Sequence, residues 1–296
     1  MPKGDLMNVA YCCNRYYLPY TMISISSLLQ NGRDGRDVRI LLAADESLKR
    51  EELEPIFQLV SRFPGCSMRA EWPQKRSDRR FVSDASCCIP EGAVQTACFR
   101  LLLPRMLAGE ERCLYLDGDL VVRKPLTELY DTDLTDCCLA GVTDRLCLEE
   151  SPLKRMKEEW GIEPGHYINA GVLMMNLERM RNTGCAGRAE ELAYSVPFRY
   201  LDQDVLNQVC RGQIRLIPKR YDVFPDDTRE DLRYLRELMP EHAGLFPDEA
   251  LASPAIVHYI GVKKPWHTRN VNYGEYWQEA ERGYAAVRGQ RDEPVS

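Results

Sequence analysis

The chain has 296 residues, room for one large α/β domain or two small ones. Hydrophobic residues make up 44% and charged residues 28%, well mixed in sign, which excludes a disordered chain. The net charge of −6 excludes the basic excess of a general nucleic-acid binder, although a few local cations can still hold an anionic small ligand.

Met7–Cys13, "MNVAYCC", reads as a first strand, short and apolar. Pro19 suits the first turn of a helix on which Met22, Ile25, Leu28 and Leu29 share one face, and the glycines of "NGRDGRD" end it. Val38–Asp45 is a second strand, and a Ser47 cap opens a second helix that runs to Phe63. Ser67–Pro73 reads as a third strand. Gln95–Leu107 is helix-like, with a kink at Pro104. "RCLYLDGD" then returns to strand. Cys137–Asp144 and Ile168–Leu177 are strand-like, and Asp202 caps a short helix to Cys210. Ile214–Phe224 and Ala255–Gly261 are late strands, and Tyr273–Gly289 is a surface helix. The acidic, weakly patterned stretch from Pro225 to Pro254 reads as a functional loop or lid, with some helix in "REDLRYLREL". Strand and helix alternate, which implies βαβ units and a mostly parallel sheet with right-handed crossovers.

There are 12 cysteines, with adjacent pairs at Cys12-Cys13, Cys87-Cys88 and Cys137-Cys138. No C-x-x-C occurs, so zinc-ribbon and thioredoxin readings fail. The opening residues lack a signal-peptide pattern, and no apolar run approaches the ~20 residues of a membrane span. The expectation is a cytoplasmic protein whose thiols are reduced and mostly buried. Peripheral membrane contact stays open, though the tail "RGQRDEPVS" lacks the character of an anchor.

The stretch "CLYLDGDLVV" stands out. An apolar run ends in Asp117 and Asp119, separated by Gly118, and turns apolar again. Residues two apart in an extended chain point the same way, so both carboxylates can converge on one point. Close carboxylates need a compensating cation or one protonates. A divalent metal supplies it, and oxygen ligands select Mg²⁺, Ca²⁺ or Mn²⁺. Gly118 keeps the pair slim enough for a bulky ligand to approach. A simple polar turn at "DG" also fits the motif.

Three distant stretches bear on that choice. In "YINAGVLMMNL", Asn169, Ala170 and Gly171 bring small residues ahead of a strand, which either admit a ligand to the backbone or pack on a neighbour. "LDQDVLNQ" carries Asp202, Gln203 and Asp204 into a helix start, where acids also suit the helix dipole. "VHYIGVKKPWH" offers His258 for a mixed nitrogen and oxygen site, and a lysine six residues on for a phosphate; a structural histidine and a solvated basic corner fit as well.

Taken in order, "FRLLLPRM", "LYLDGDLVV", "YINAGVLMMNL", "DQDVLN" and "HYIGVKKPW" resemble the family 8 glycosyltransferases, the group that includes bacterial lipopolysaccharide galactosyl- and glucosyltransferases and glycogenin. The resemblance runs from Asn8 to about Trp277. It implies an α/β GT-A fold over residues 7–285, with a mostly parallel central sheet flanked by helices, a Rossmann-like nucleotide-binding half and an acceptor-binding half; residues 286–296 would be a flexible tail. It implies transfer of glucose or galactose from a UDP-sugar to a saccharide or glycoconjugate acceptor, with retention at the anomeric carbon. Asp117 and Asp119, as a D-x-D motif, would join His258 in holding Mn²⁺, or Mg²⁺, on the diphosphate. Lys264 and the backbone of Gly261 would meet phosphate. Arg100 and Asp144 would sit near the donor sugar, and Asn169, Ala170 and Gly171 would line the sugar and metal pocket. Asp202 would hold a sugar hydroxyl, and Gln203 would lie on the anomeric face opposite the leaving group. One stretch departs from the family. In "YCCNRYY", Asn14 stands where an Asp is usual and Tyr16-Tyr17 where Asn-Tyr is usual. Tyr17 can still stack on a base, Asn14 can still bond to it, and Cys12 would lie beside it.

Gln203 is a poor nucleophile, so front-face attack is the preferred mechanism, with Asp202 as covalent nucleophile the alternative. The competing functions are a non-catalytic nucleotide-sugar binding protein of the same fold and a self-glucosylating enzyme like glycogenin. A nucleotidyltransferase would need a glycine-rich loop after the first strand, and "CCNRYYLP" has none.

Overall fold

The computed structural model describes residues 6–73, 80–83 and 91–289. The Cys87-Cys88 pair and the chain after Gly289 lie outside the described residues. The strands are β1 (Leu6–Cys13), β2 (Asp37–Ala44), β3 (Cys66–Glu71), β4 (Arg112–Leu116), β5 (Leu120–Val122), β6 (Leu139–Gly141), β7 (Val172–Asn176), β8 (Ile214–Leu216) and β9 (Ile256–His258). One seven-stranded sheet runs in the order β3-β2-β1-β4-β7-β6-β8. β7 is antiparallel to β4 and β6, and the other pairings are parallel. The first four positions, 3-2-1-4, have the order of a doubly wound nucleotide-binding half.

The central strands are apolar on both faces because both faces are covered. Period-two alternation then divides them between two cores. Met7, Val9, Tyr11 and Cys13 of β1 pack with Leu114 and Leu116 of β4, under the helices Leu18–Ser27 and Gly274–Gly289. Ala10 and Cys12 join Cys113, Tyr115, Leu173 and Met175 in the opposite layer, with Leu101–Leu103, Ala189 and Val205. The run Glu91–Met106 is helical throughout but changes pitch, with a tight 3₁₀ stretch over Cys98–Leu102. Pro104 has no N–H to give the carbonyl of Arg100, so Leu103 takes that carbonyl instead. Arg100 thus sits on the tightened turn, beneath the carboxyl end of the sheet.

β5 leaves the main sheet after the "DGD" turn and pairs antiparallel with β9, Leu120 opposite His258 and Val122 opposite Ile256. This ribbon carries the late chain back across the end of β4.

Several local expectations gave way to tertiary contacts. Ser47 does not cap the second helix: its Oγ accepts from Arg15 N–H at 2.9 Å and donates to Asp45, and the helical run starts after Lys49. Asp202 does not cap its helix, which starts after Tyr200; the Tyr200 N–H is taken by Asp204 at 2.9 Å. In Ile214–Phe224 only Ile214–Leu216 is strand, followed by a 3₁₀ turn at Lys219–Tyr221. In Cys137–Asp144 only Leu139–Gly141 is strand. In the stretch expected as a loop or lid, the helix expected in "REDLRYLREL" is present as Arg229–Leu238, and Pro240–Leu245 and Glu249–Ala252 add two short helical turns. Thr228 and Asp231 cap the first of these reciprocally, and Leu232 and Leu235 anchor it in the core. The last helix extends to Gly289, so residues 286–289 of the expected tail are helical.

A buried ion pair braces the chain just ahead of β9. Lys219 Nζ lies 2.9 Å from Asp227 Oδ2, both side chains are 2% exposed, and the ammonium sits 3.8 Å from the centre of the Phe224 ring. Asp227 also accepts from the Phe224 N–H. Deleting one partner of such a pair strands the other charge and costs about 3–5 kcal/mol. We expect Lys219→Ala to lose that much in urea unfolding, and Lys219→Met with Asp227→Asn to lose much less. Equal losses would show that the cost lies in packing volume, not in the stranded charge.

Candidate active site

The "DGD" turn is held from two sides. The Asp117 N–H donates to Gly171 O at 2.9 Å, which continues the β4–β7 ladder beyond Leu116 and Val172. On the other side, the Tyr259 N–H donates to Asp119 O at 3.0 Å, which continues the β5–β9 ribbon. Asp117 and Asp119 therefore do converge, but through a turn between two sheets and not through an extended strand. His258, at the end of β9, faces both: its Nε2 lies 3.6 Å from Asp117 Oδ2 and 3.3 Å from Asp119 Oδ1.

The two glycines nearby serve this convergence. A Cβ on Gly171 would lie 2.1 Å from His258 Cε1 and 2.8 Å from Asp117 Oδ2, so the missing side chain makes room for the other two. Gly118 was expected to give a ligand room. It instead faces the helix Leu18–Ser27, where a Cβ would meet Thr21 Oγ1 at 2.3 Å.

Each converging side chain has one atom braced and one left facing its partners. Asp117 Oδ1 accepts from Tyr115 O–H at 2.6 Å and pairs with Arg100 at 3.0 Å, leaving Oδ2. Asp119 Oδ2 pairs with Lys264 Nζ at 2.5 Å, leaving Oδ1. His258 Nδ1 pairs with Asp222 Oδ1 at 3.0 Å, leaving Nε2. Bracing of this kind fixes ring and carboxylate orientation around metal ions. Two carboxylate oxygens and an imidazole nitrogen form a donor set suited to a hard or borderline divalent cation. The residues present fit such an ion, and the space cleared by Gly171 supports that fit.

The charges agree. Asp117 and Asp202 pair with Arg100, Asp119 pairs with Lys264, and Asp222 faces His258 with Lys219 further off. Burial alone would lower the pKa of His258, but the carboxylates of Asp222 and Asp119 outweigh it and push it up to about 10. Burial would raise Asp119, but Lys264 and His258 hold it below the usual carboxylate range. For Asp202 burial wins over Arg100, and its carboxyl is pushed up to about 7. The upward shifts of His258 and Asp202 share one setting, a crowd of buried carboxylates.

Arg100 ties this cluster to a second one. Its Nε pairs with Asp202 at 2.9 Å, its Nη1 donates to Ala170 O, and its guanidinium lies 4.4 Å from the centre of the Tyr115 ring. Gln203 accepts from the Ala170 N–H at 3.0 Å and donates to Tyr167 O–H at 3.3 Å. Asn169 donates to Asp144 at 2.8 Å and accepts from the Gly171 N–H at 2.7 Å. Leu201, just before Asp202, has a left-handed φ of 48°, a strain of about 1–3 kcal/mol that persists where surroundings over-determine the backbone.

The remaining expected residues lie around these clusters. Cys12 is packed in the core beneath Arg100, and burial pushes its thiol up to about 12. Asn14 Oδ1 accepts from the Tyr17 N–H at 2.9 Å, which shapes the turn into the first helix. The Tyr17 ring meets Trp266 edge-on at 6.2 Å, and Trp266 stacks on Tyr20 at 3.8 Å. Gly261, with φ of 74°, is exposed on a cleft that Asn270 and Asn272 also line. Lys263 is exposed, whereas Lys264 is buried on Asp119 and the Tyr259 carbonyl.

Sequence reasoning missed Tyr115, Asp222 and the Tyr20–Trp266 stack. Tyr115 could have been found by parity, since it shares a strand face with Asp117 two residues on. Asp222 carries no local signal, because only the fold brings it to His258. We expect Asp222→Asn to weaken Mn²⁺ binding about 10–100-fold, the usual cost of losing an outer-shell carboxylate. Gly171→Ala should weaken it further while far-UV circular dichroism stays native. Mn²⁺ affinity unchanged in both variants, measured by calorimetry, would contradict the convergence described.

Comparison with known proteins places the chain beside glycosyltransferases. The Lipopolysaccharide 1,2-glucosyltransferase of Escherichia coli (strain K12) is 26% identical over 277 residues, covering 89% of this chain and 74% of that protein. Among solved structures, the galactosyltransferase LgtC in complex with donor and acceptor sugar analogues superposes with a TM-score of 0.70 at 22% identity, covering 97% of this chain and 98% of that one. The WbbM bifunctional glycosyltransferase gives a TM-score of 0.75 at 17% identity; the match covers 94% of this chain but only 50% of that one. At these identities the structural likeness shows the fold, which is GT-A. The family described as Glycosyl transferase family 8 matches residues 8–270, and the chain belongs to it.

Proposed function

We propose that the chain is a metal-dependent, retaining hexosyltransferase that moves glucose or galactose from a UDP-sugar to a saccharide or glycoconjugate acceptor, with residues 7–285 acting as one catalytic unit. The observation that carries this reading is the convergence of Asp117 Oδ2, Asp119 Oδ1 and His258 Nε2, each braced on its other side. A divalent cation held there, Mn²⁺ in the first instance and Mg²⁺ in the second, would supply Lewis-acid stabilisation to a departing diphosphate. Lys264 supplies a buried positive charge beside the same point, suited to the β-phosphate as the sugar bond breaks. Gly261 offers backbone N–H to phosphate, and Tyr17 with Asn14 offers a ring and an amide to the base. Arg100, Asp144 and Asn169 orient the sugar.

The mechanism follows from the state of Asp202. A covalent nucleophile must be ionised and free, but Asp202 is buried and tied to Arg100, and burial raises the pKa of its carboxyl. Gln203 is a weak nucleophile held by Ala170 and Tyr167. Both features favour front-face attack, in which the acceptor hydroxyl enters on the side the diphosphate leaves and gives its proton to that diphosphate. Asp202 then positions Arg100 and a sugar hydroxyl. The name of the Escherichia coli relative favours a lipopolysaccharide-like saccharide as acceptor. A non-catalytic sugar-nucleotide binder would hold its diphosphate through the same cation site, and turnover separates the two readings.

UDP-glucose and UDP-galactose should each be tested for Mn²⁺-dependent turnover. We expect one of them to be turned over, activity to vanish with EDTA or in Asp119→Ala, and the product from an α-linked donor to be α-linked by NMR. Full activity in EDTA, or a β-linked product, would sink the reading. Lys264→Ala should cost about 10²-fold in kcat/KM, the scale of losing one charge-stabilising group, without weakening Mn²⁺ binding. Lys263→Ala should be nearly silent, since that side chain is exposed. Equal losses at both lysines would mean a diffuse basic patch in place of a directed charge.

A further inference from the structure

Three cysteines far apart in the sequence meet beneath the surface. Cys138 immediately precedes β6, Cys185 opens the helix Cys185–Ser195, and Cys210 follows the helix Leu201–Val209. All three are 0% exposed, and their Sγ atoms lie within 4.8 Å of one another, with Cys138 and Cys185 at 3.8 Å. The cluster is separate from the carboxylate site. Leu139 and Cys113 both pair with Met175, so Cys138 stands level with Arg112, at the amino end of β4. Asp117 lies five residues further along, roughly 16 Å away at ~3.3 Å per residue.

The surroundings of Cys185 suit a thiolate. Arg188 Nη2 donates to Cys185 Sγ at 3.1 Å, and Thr183 O–H donates to it at 3.2 Å. Cys185 is the first residue of an 11-residue helix, where the backbone dipole favours negative charge. Gln213 reaches both Cys138 and Cys185, and Arg179 holds its amide. Three thiolates around a tetrahedral Zn²⁺, with Zn–S near 2.3 Å, would stand about 3.8 Å apart. The Cys138–Cys185 separation already has that value.

We propose that Cys138, Cys185 and Cys210 form a Zn²⁺ site, with an oxygen donor, Thr183 Oγ1 or water, as the fourth ligand. Three S–H protons pass to solvent and three Zn–S bonds form, with no change of oxidation state. The three thiolates and Zn²⁺ carry one negative charge, which Arg188 offsets. The ion would lock two helices to the end of the sheet that is opposite the active site. It has no part in sugar transfer.

The test uses the full chain, reduced, stripped of metal and titrated with Co²⁺. We expect thiolate-to-cobalt charge transfer in the near ultraviolet and the intense visible bands of tetrahedral Co²⁺, both displaced by Zn²⁺. Both signals should survive in Asp117→Asn, which cripples the oxygen and nitrogen site, and vanish in Cys185→Ser. Zn²⁺ should also raise the thermal midpoint of the wild type and of Asp117→Asn, but not of Cys185→Ser. The wild-type spectrum decides even if a cysteine variant folds poorly. Absence of the charge-transfer band in the reduced wild type overturns the proposal. So does its absence together with a Cys138–Cys185 disulfide found by mass spectrometry after exposure to air, which would mark a redox pair instead.

Discussion

Four carboxylates crowd the carboxyl end of β4, and their mutual repulsion governs how the residues around them are arranged. Two unit charges about 4 Å apart at an effective dielectric of 20 interact by about 4 kcal/mol, a large share of the 5–15 kcal/mol by which a domain is stable. Arg100 and Lys264 relieve part of that energy, and the upward pKa shifts of His258 and Asp202 reflect the same crowding. A divalent cation held by Asp117, Asp119 and His258 would relieve it further. The unliganded cluster is therefore prepared for a cation by the same energy that makes it costly to fold.

The sequence signal was clearest where chemistry and chain order coincide. The apolar runs on either side of "DGD" announce strands on each side of a turn, and the strand–helix alternation announces a parallel sheet. The signal failed where a side chain had a better partner far away. Ser47 and Asp202 both satisfy the local rule for a helix cap. Ser47 instead closes the turn at Arg15, and Asp202 is drawn to Arg100. A cap is worth about 1 kcal/mol, while a charge-assisted bond inside the core is worth roughly twice a neutral one, so tertiary pairing wins. Asp222 was invisible for the complementary reason: it satisfies no local rule, and its purpose exists only once β9 brings His258 beside it.

Gly118 shows how a correct residue can be read for the wrong reason, and at Gly171 the packing alternative is the one that holds. Small residues near a candidate ligand site suggest space left for the ligand. Here the space is used by the protein itself, by Thr21 against Gly118 and by His258 and Asp117 against Gly171. Converging side chains need somewhere to converge, and the backbone supplies it by omitting a Cβ.

The β5–β9 ribbon links these features mechanically. Val223 bridges to Val257, and the His258 N–H donates to Val223 O at 2.9 Å, so the segment that contains Asp222 is stitched to β9 itself. That segment is braced in turn by the buried Lys219–Asp227 pair. Imidazole, orienting carboxylate and brace thus form one rigid body, which docks on the "DGD" turn through β5. The main sheet positions the two carboxylates, and the ribbon positions the nitrogen. Because a single hydrogen-bonded register joins them, a shift in β5–β9 pairing would remove His258 from its place, so the geometry of the donor set is determined at the level of the fold.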